Sequence, residues 1–139
     1  MNREEREERE EDGRLAIEWI ASDVVHSAVK IHRSLGPGLL ESTYQRCLEY
    51  ELRRAGHKVA CEVVVPIWYE GISINAGYRM DMLIGDRIVI ENKTVEFLLP
   101  IHYAQLLTYL KLQDLRLGFL INWNVKIIKH GIHRYVNGL

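Results

Sequence analysis

No apolar run in this chain approaches membrane-spanning length, and the first dozen residues are charged where a secretory leader would be apolar. Those two absences point to a cytoplasmic protein without a membrane partner. Cysteine is scarce: the chain has two, Cys47 and Cys61, without CxxC spacing. That argues for buried free thiols rather than a disulfide or a zinc site. There are three prolines, and each falls at an expected element boundary. No internal repeat is present. A strong excess of one charge is also missing, since the formal net charge is −1.

The charge is unevenly spread. Residues 1–12 hold three Arg against six Glu and one Asp, while the remainder is mildly basic. That bias falls well short of a strong nucleic-acid footprint. A tighter basic group lies near the end, where Lys126, Lys129, His130, His133 and Arg134 fall together. Its bland reading is a charged edge strand protected from aggregation, and that has equal weight. At 139 residues the chain is long enough for one domain with a real core. We expect that domain over 14–139, preceded by a charged, frayed helical extension over 1–13.

In chain order, Leu15 to Leu35 reads as a helix with an apolar stripe of Leu15, Ile17, Trp19, Ile20, Val24, Ala28 and Ile31. His26 and His32 lie on or beside it as ordinary helix-face histidines. Gly36-Pro37 stops this helix. A second helix runs from Leu39 to Ala55 with Leu40, Tyr44, Cys47, Leu48 and Leu52 inward, closed by Gly56. Glu41 sits in its first turn, where compensation of the helix dipole alone is worth ~0.3–1 kcal/mol. Strands follow at Val59–Tyr69, with an edge or bulge at Pro66, then at Ile72–Ile84, broken near Asn75-Ala76-Gly77, and at Arg87–Thr94. Pro100 opens a helix to about Leu112. Leu115–Trp123 is a buried strand, and Val125–Ile128 and Ile132–Val136 are short and strand-like. The order ααβββαββ implies an α/β fold, a mixed sheet flanked by helices.

One stretch carries chemistry. Between Gly77 and Val95 two strands are joined by a tight turn at Gly85-Asp86. The first holds Asp81. The second runs Ile88-Val89-Ile90 into Glu91-Asn92-Lys93. Glu91 and Lys93 share a face because side chains alternate. Charges at the end of a buried strand must pair, meet solvent or hold a metal. Asp81 and Glu91 could offer carboxylate oxygens to one hard cation, Mg²⁺ or Mn²⁺, with Lys93 beside it. A surface salt bridge to Lys93 would explain the same spelling. A strict two-residue loop would pair Asp81 with Ile90 and put Glu91 on the wrong face, so the metal reading requires a three- or five-residue connection, or a bulge.

Two further motifs agree with it. One is Gly38-Leu-Leu-Glu41-Ser-Thr-Tyr44. The other is Gln105-Leu-Leu-Thr-Tyr109, whose ends share a helix face. Together the Gly-x-x-Glu-x-x-Tyr spelling, Asp81, Glu91-Asn92-Lys93, Gln105…Tyr109-Leu110, Gly118-Phe-Leu-Ile-Asn122-Trp123 and Gly131-Ile-His-Arg134 resemble the GxxExxY proteins, a family within the PD-(D/E)XK nuclease superfamily. The resemblance covers about Ile17 to Tyr135. It implies a restriction-endonuclease-like core. It also implies Asp81 and Glu91 as metal-binding acids, with the main-chain carbonyl of Asn92 as a further ligand. Lys93 would be the catalytic lysine. Glu41 would face the cleft and bind metal directly or through water. Gln105 and Tyr109 would line the cleft, touching Lys93 or a substrate phosphate. Met80 stands where the superfamily's name has proline. Asn92 is polar where an apolar residue is common, which suggests that its face of the strand is less buried here.

The leading reading is a metal-dependent nuclease acting on nucleic acid, DNA in the first place, with Lys126, Lys129 and Arg134 helping to hold the backbone. The alternative is a nuclease-fold module that binds nucleic acid or a protein partner without cutting. A homodimer is compatible with either.

Overall fold

The computed structural model describes residues 1–75 and 77–138. The first helix, α1, spans Arg3–Leu35. Asn2 caps it, its side chain accepting from the Glu5 N–H at 2.9 Å. The charged run is therefore not set off from the helix expected at Leu15. It is the same helix, carried through Gly13. Glu and Arg are good helix formers, and one glycine costs only ~1 kcal/mol. Ile20, Val24, Ala28 and Ile31 are buried, as the stripe required, and Ala21 is buried beside them. Leu15 and Trp19 are exposed instead, and Trp19 packs on the His57 ring.

Helix α2 spans Glu41–Arg54. Its inner face is Tyr44, Leu48 and Leu52. Strands β1 (Val59–Val64), β2 (Ile67–Tyr69), β3 (Ile72–Ile74), β4 (Arg79–Ile84) and β5 (Ile88–Lys93) follow. Helix α3 (Pro100–Leu112) crosses to β6 (Leu117–Asn122), and a 3-10 turn at Ile128–His130 precedes β7 (Ile132–Val136). The main sheet has the order β1-β4-β5-β6-β7. Its one parallel pair is β5/β6, the pair that α3 joins. Helices α1 and α2 cover one face through a core that includes Tyr44, Ile90, Phe119 and Trp123. Helix α3 covers the other through Leu106, Tyr109 and Leu110 against Val89 and Leu120. This is the expected α/β, restriction-endonuclease-like arrangement of three helices and a mixed sheet.

Three expectations change. The two long strands divide where breaks were expected, but β2 and β3 leave the main sheet and pair only with each other. Pro66 sits at the first break, where it cannot extend a ladder. Val125–Ile128 is not a strand. It lies in the link that reverses the chain between antiparallel β6 and β7, closed where the Asn122 N–H meets the Gly131 carbonyl at 2.8 Å. Cys47 and Cys61 are free thiols as expected, but only half-buried.

Gly118 explains why a buried strand contains a glycine. A Cβ there would lie 2.8 Å from Leu106 Cδ1, so its absence lets α3 settle onto β6. No helix among the described residues is long and apolar enough to cross a membrane.

Candidate active site

The β4–β5 register pairs Ile84 with Ile88 and Met82 with Ile90. The connection is therefore three residues, Gly85-Asp86-Arg87, with Gly85 and Asp86 at φ 59° and 56°. Carried one step beyond Met82 and Ile90, toward the far ends of the strands, the same register sets Asp81 opposite Glu91, as a shared face requires. Two hydrogen bonds fix them. The Asp81 N–H donates to Glu91 Oε2 at 2.7 Å, and the Asn92 N–H donates to Asp81 Oδ2 at 2.8 Å. Each carboxylate thus spends one oxygen on backbone. Asp81 Oδ1 and Glu91 Oε1 accept no hydrogen bond among the described residues.

Strict alternation fails beside this pair. Met82 packs under α1 and α2, whereas Met80 packs on the α3 side. The change falls at Asp81, across from Glu62, which has φ 53°. A local distortion of the ladder re-aims the acid.

Burial raises the carboxyl pKa of both acids. Proximity to Asp81 adds to the rise at Glu91, and the charges of Glu41 and Glu62 add to it at Asp81. Backbone donors and Lys93 pull both down, but desolvation is the largest effect. The pair titrates as a unit. In the unfolded chain both acids return to the ordinary carboxylate range, so above that range the folded chain holds more protons. Stability of the metal-free protein then falls as pH rises through the window between ordinary and raised values. Glu91→Gln removes one of the two titrations. In EDTA at alkaline pH it is expected to raise the melting temperature by roughly 5 °C and flatten the slope. An unchanged slope would contradict a desolvated pair.

Lys93 ends β5 on the same face as Glu91. Its charge reaches both acids, yet it closes no ion pair among the described residues. Asn92 points the other way and is fully buried, which overturns the expectation of a less buried face. Its polar atoms are satisfied. Trp123 Nε1 donates to Asn92 Oδ1 at 2.9 Å, and Asn92 Nδ2 donates to Gln45 Oε1 at 3.3 Å. Gln45 Nε2 in turn donates to Glu62 Oε1 at 2.9 Å. Trp123 stacks on Tyr44, centroids 4.8 Å apart. The Tyr44 hydroxyl donates to the Gly36 carbonyl and accepts from the Leu39 N–H. The Gly38…Glu41…Tyr44 spelling therefore has a structural meaning. Tyr44 pins the loop that starts α2, and so sets where Glu41, its first residue, stands.

Glu41 is exposed on the cleft side, and its charge reaches Asp81. On the α3 side, Tyr109 is buried, one helical turn after Gln105. Burial first, then the charges of Glu91 and Asp81, push the Tyr109 hydroxyl's pKa up. Neither Gln105 nor Tyr109 hydrogen-bonds Lys93 among the described residues. Lys126 and Lys129 are exposed in the β6–β7 link. That link leaves the sheet beside Lys93, whose carbonyl accepts from the Trp123 N–H at 2.9 Å. Arg134 is a different case. It pairs with Glu18 on α1 at 2.7 Å, an exposed ion pair worth little by itself.

The donor set suits a hard cation. Asp81 and Glu91 bring two carboxylates with one oxygen each to spare. No group of three or more His, Cys, Asp or Glu side chains able to hold a metal occurs among the described residues. Glu41 does not join the pair as a third close ligand. Two carboxylates supplemented by water and main-chain oxygen fit Mg²⁺ better than a closed zinc site. Sequence reasoning missed Gln45, Glu62 and the Asn92–Trp123 bond. Gln45 had a signal, since it lies four residues after Glu41 on one helix face. Glu62 had none without the β1–β4 register.

The family model of the PD-(D/E)XK nuclease superfamily matches residues 18–135. No curated protein matches, and no solved structure does.

Proposed function

Because the chain belongs to the PD-(D/E)XK nuclease superfamily, we propose that it is a metal-dependent nuclease that hydrolyses phosphodiester bonds, of DNA in the first place. Within the superfamily we assign it to the GxxExxY proteins, on the Gly38-x-x-Glu41-x-x-Tyr44 spelling. The observation that carries the reading is Asp81 set against Glu91 with a free oxygen on each and Lys93 on the same face. Those two carboxylates, with the Asn92 main-chain carbonyl, are the groups to hold Mg²⁺ or Mn²⁺. When bound, such a cation supplies charge neutralisation at a phosphate and acidifies water. Lys93 orients the attacking water or offsets charge that builds on the phosphate oxygens. Glu41 acts through water from the opposite wall. Gln105 and Tyr109 position the phosphate from α3. Lys126 and Lys129 hold the neighbouring backbone, which makes affinity salt-dependent.

Pure protein incubated with single-stranded, duplex and branched DNA, and with RNA, is expected to cut in Mg²⁺ or Mn²⁺ and not in EDTA. Absence of both cleavage and divalent-cation binding would sink this reading. One observation favours a second reading. Each acid already holds a backbone N–H, a structural role that a non-cutting module binding nucleic acid or protein would also retain. Metal binding without cleavage on any substrate would favour that module.

A further inference from the structure

A groove of about 490 Å³ runs along α3. Its walls include Ile67, Tyr78, Ile101, Gln105, Thr108 and Tyr109, and among the described residues no Lys, Arg, Asp or Glu lines it. Tyr109 relates the groove to the acid pair: it feels the charges of Glu91 and Asp81, and its hydroxyl lies within electrostatic reach of Tyr78. Ile67 brings the β2–β3 ribbon to the groove. The ribbon's register pairs Ile67 with Ile74 and Tyr69 with Ile72. Opposed residues share a face, so all four stand on the Ile67 side, and Trp68 and Ser73 on the other. On that face Ile72 and Ile74 are 60% and 41% exposed. Tyr69 and Tyr78 are 65% and 45% exposed.

We infer that this groove receives unpaired nucleobases, so that the substrate is single-stranded or locally opened next to the cut. The inference rests on the nuclease reading for what reaches the acids. A phosphate held at Asp81 and Glu91 brings its covalently attached nucleosides to the groove mouth at Tyr109. A duplex would present phosphates to these walls and would need Lys or Arg there, and the walls have neither among the described residues. Bases inside a duplex hide their faces. Unpaired bases expose them to aromatic rings, while Gln105 and Thr108 can bond base edges. Tyr78 in the groove wall supplies such an exposed ring, and Tyr69, on the ribbon that brings Ile67 to the groove, supplies a second.

The test reads binding rather than cutting. Full-length protein carrying Lys93→Ala is mixed in Mg²⁺ with labelled oligothymidylate of about 15 nucleotides, or with a blunt duplex of equal length, and retention on filters is measured. Single strands are expected to bind about tenfold or more tighter than duplex. Tyr78→Ala and Tyr69→Ala are each expected to weaken single-strand binding about tenfold, with duplex binding and melting temperature unchanged. Tyr78→Phe keeps the ring and is expected to keep the affinity. Equal affinity for duplex, or indifference to both alanine changes, overturns the inference. So does sedimentation in which Tyr78→Ala breaks a dimer while single-strand affinity is intact, because the face then belongs to a second copy. Tyrosine-dependent binding by a wild-type protein that cuts nothing would sink the nuclease reading alone. Metal-dependent cutting indifferent to the tyrosines would sink this inference alone.

Discussion

Lys93→Ala and Asp81→Asn are each expected to lower cleavage by a factor of about a thousand, the scale of removing one group that answers charge in a transition state. Their effects on stability should have opposite signs. Lys93 is a cation whose charge draws both acids down. Without it the folded chain buries two acids with less compensation, so the metal-free melting temperature falls at neutral pH and above. Asp81→Asn does the reverse. It removes one of two buried acids that raise each other's cost, and its side-chain oxygen can still accept the Asn92 N–H. Its melting temperature should rise in EDTA. Differential scanning in EDTA beside the cleavage assay checks both halves. Full activity in either variant contradicts the assigned roles, and a shared direction of stability change contradicts the electrostatics.

Gly131→Ala is expected to cost about 3 kcal/mol or more and to lower the melting temperature by roughly 10 °C. Gly131 has φ −100°, so any residue could adopt its backbone. The constraint is space. A Cβ would lie 2.1 Å from the Asn122 main-chain oxygen and 3.0 Å from Val125 Cγ2. Backbone must move, and it is backbone with work to do. Buried Asn122 grips the segment after Lys93, its Oδ1 accepting from the Val95 N–H at 3.2 Å and its Nδ2 donating to the Val95 carbonyl at 2.9 Å. Shifting Asn122 therefore drags on the strand end that carries Lys93. Cleavage should fall by more than the unfolded fraction explains. Gly138→Ala, where a Cβ meets nothing within 4 Å, is the control and should be neutral. A melting temperature within a degree or so of wild type for Gly131→Ala would refute the packing argument.

The local part of this molecule was legible before its structure. Pro100 and the apolar spacing behind it mark α3 to the residue, because capping and periodicity are short-range. Asp81, Glu91 and Lys93 were legible through strand parity, which also required the odd-length connection that the register has. What lay hidden depends on distant partners. Arg134 meets Glu18, 116 residues away in sequence, a partner that no local spacing reveals. Asn92 looked like a solvated strand end because its satisfaction comes from Trp123 and Gln45, on two other elements. Val125–Ile128 has strand-like composition, but a chain that must reverse between β6 and β7 cannot use it as one. The β2–β3 ribbon was hidden for a similar reason, since sequence shows where a strand breaks but not which sheet its outer half joins.

The Asn92–Trp123 bond has an optical consequence. Of the three tryptophans, Trp19 and Trp68 are more than half exposed and Trp123 is fully buried. A soluble quencher will darken the first two and spare the third. The emission that survives comes from an indole whose N–H is bonded to the residue between Glu91 and Lys93 and whose ring lies flat on Tyr44. Without any attached dye, the molecule reports the state of its own strand end in the colour of that residual light.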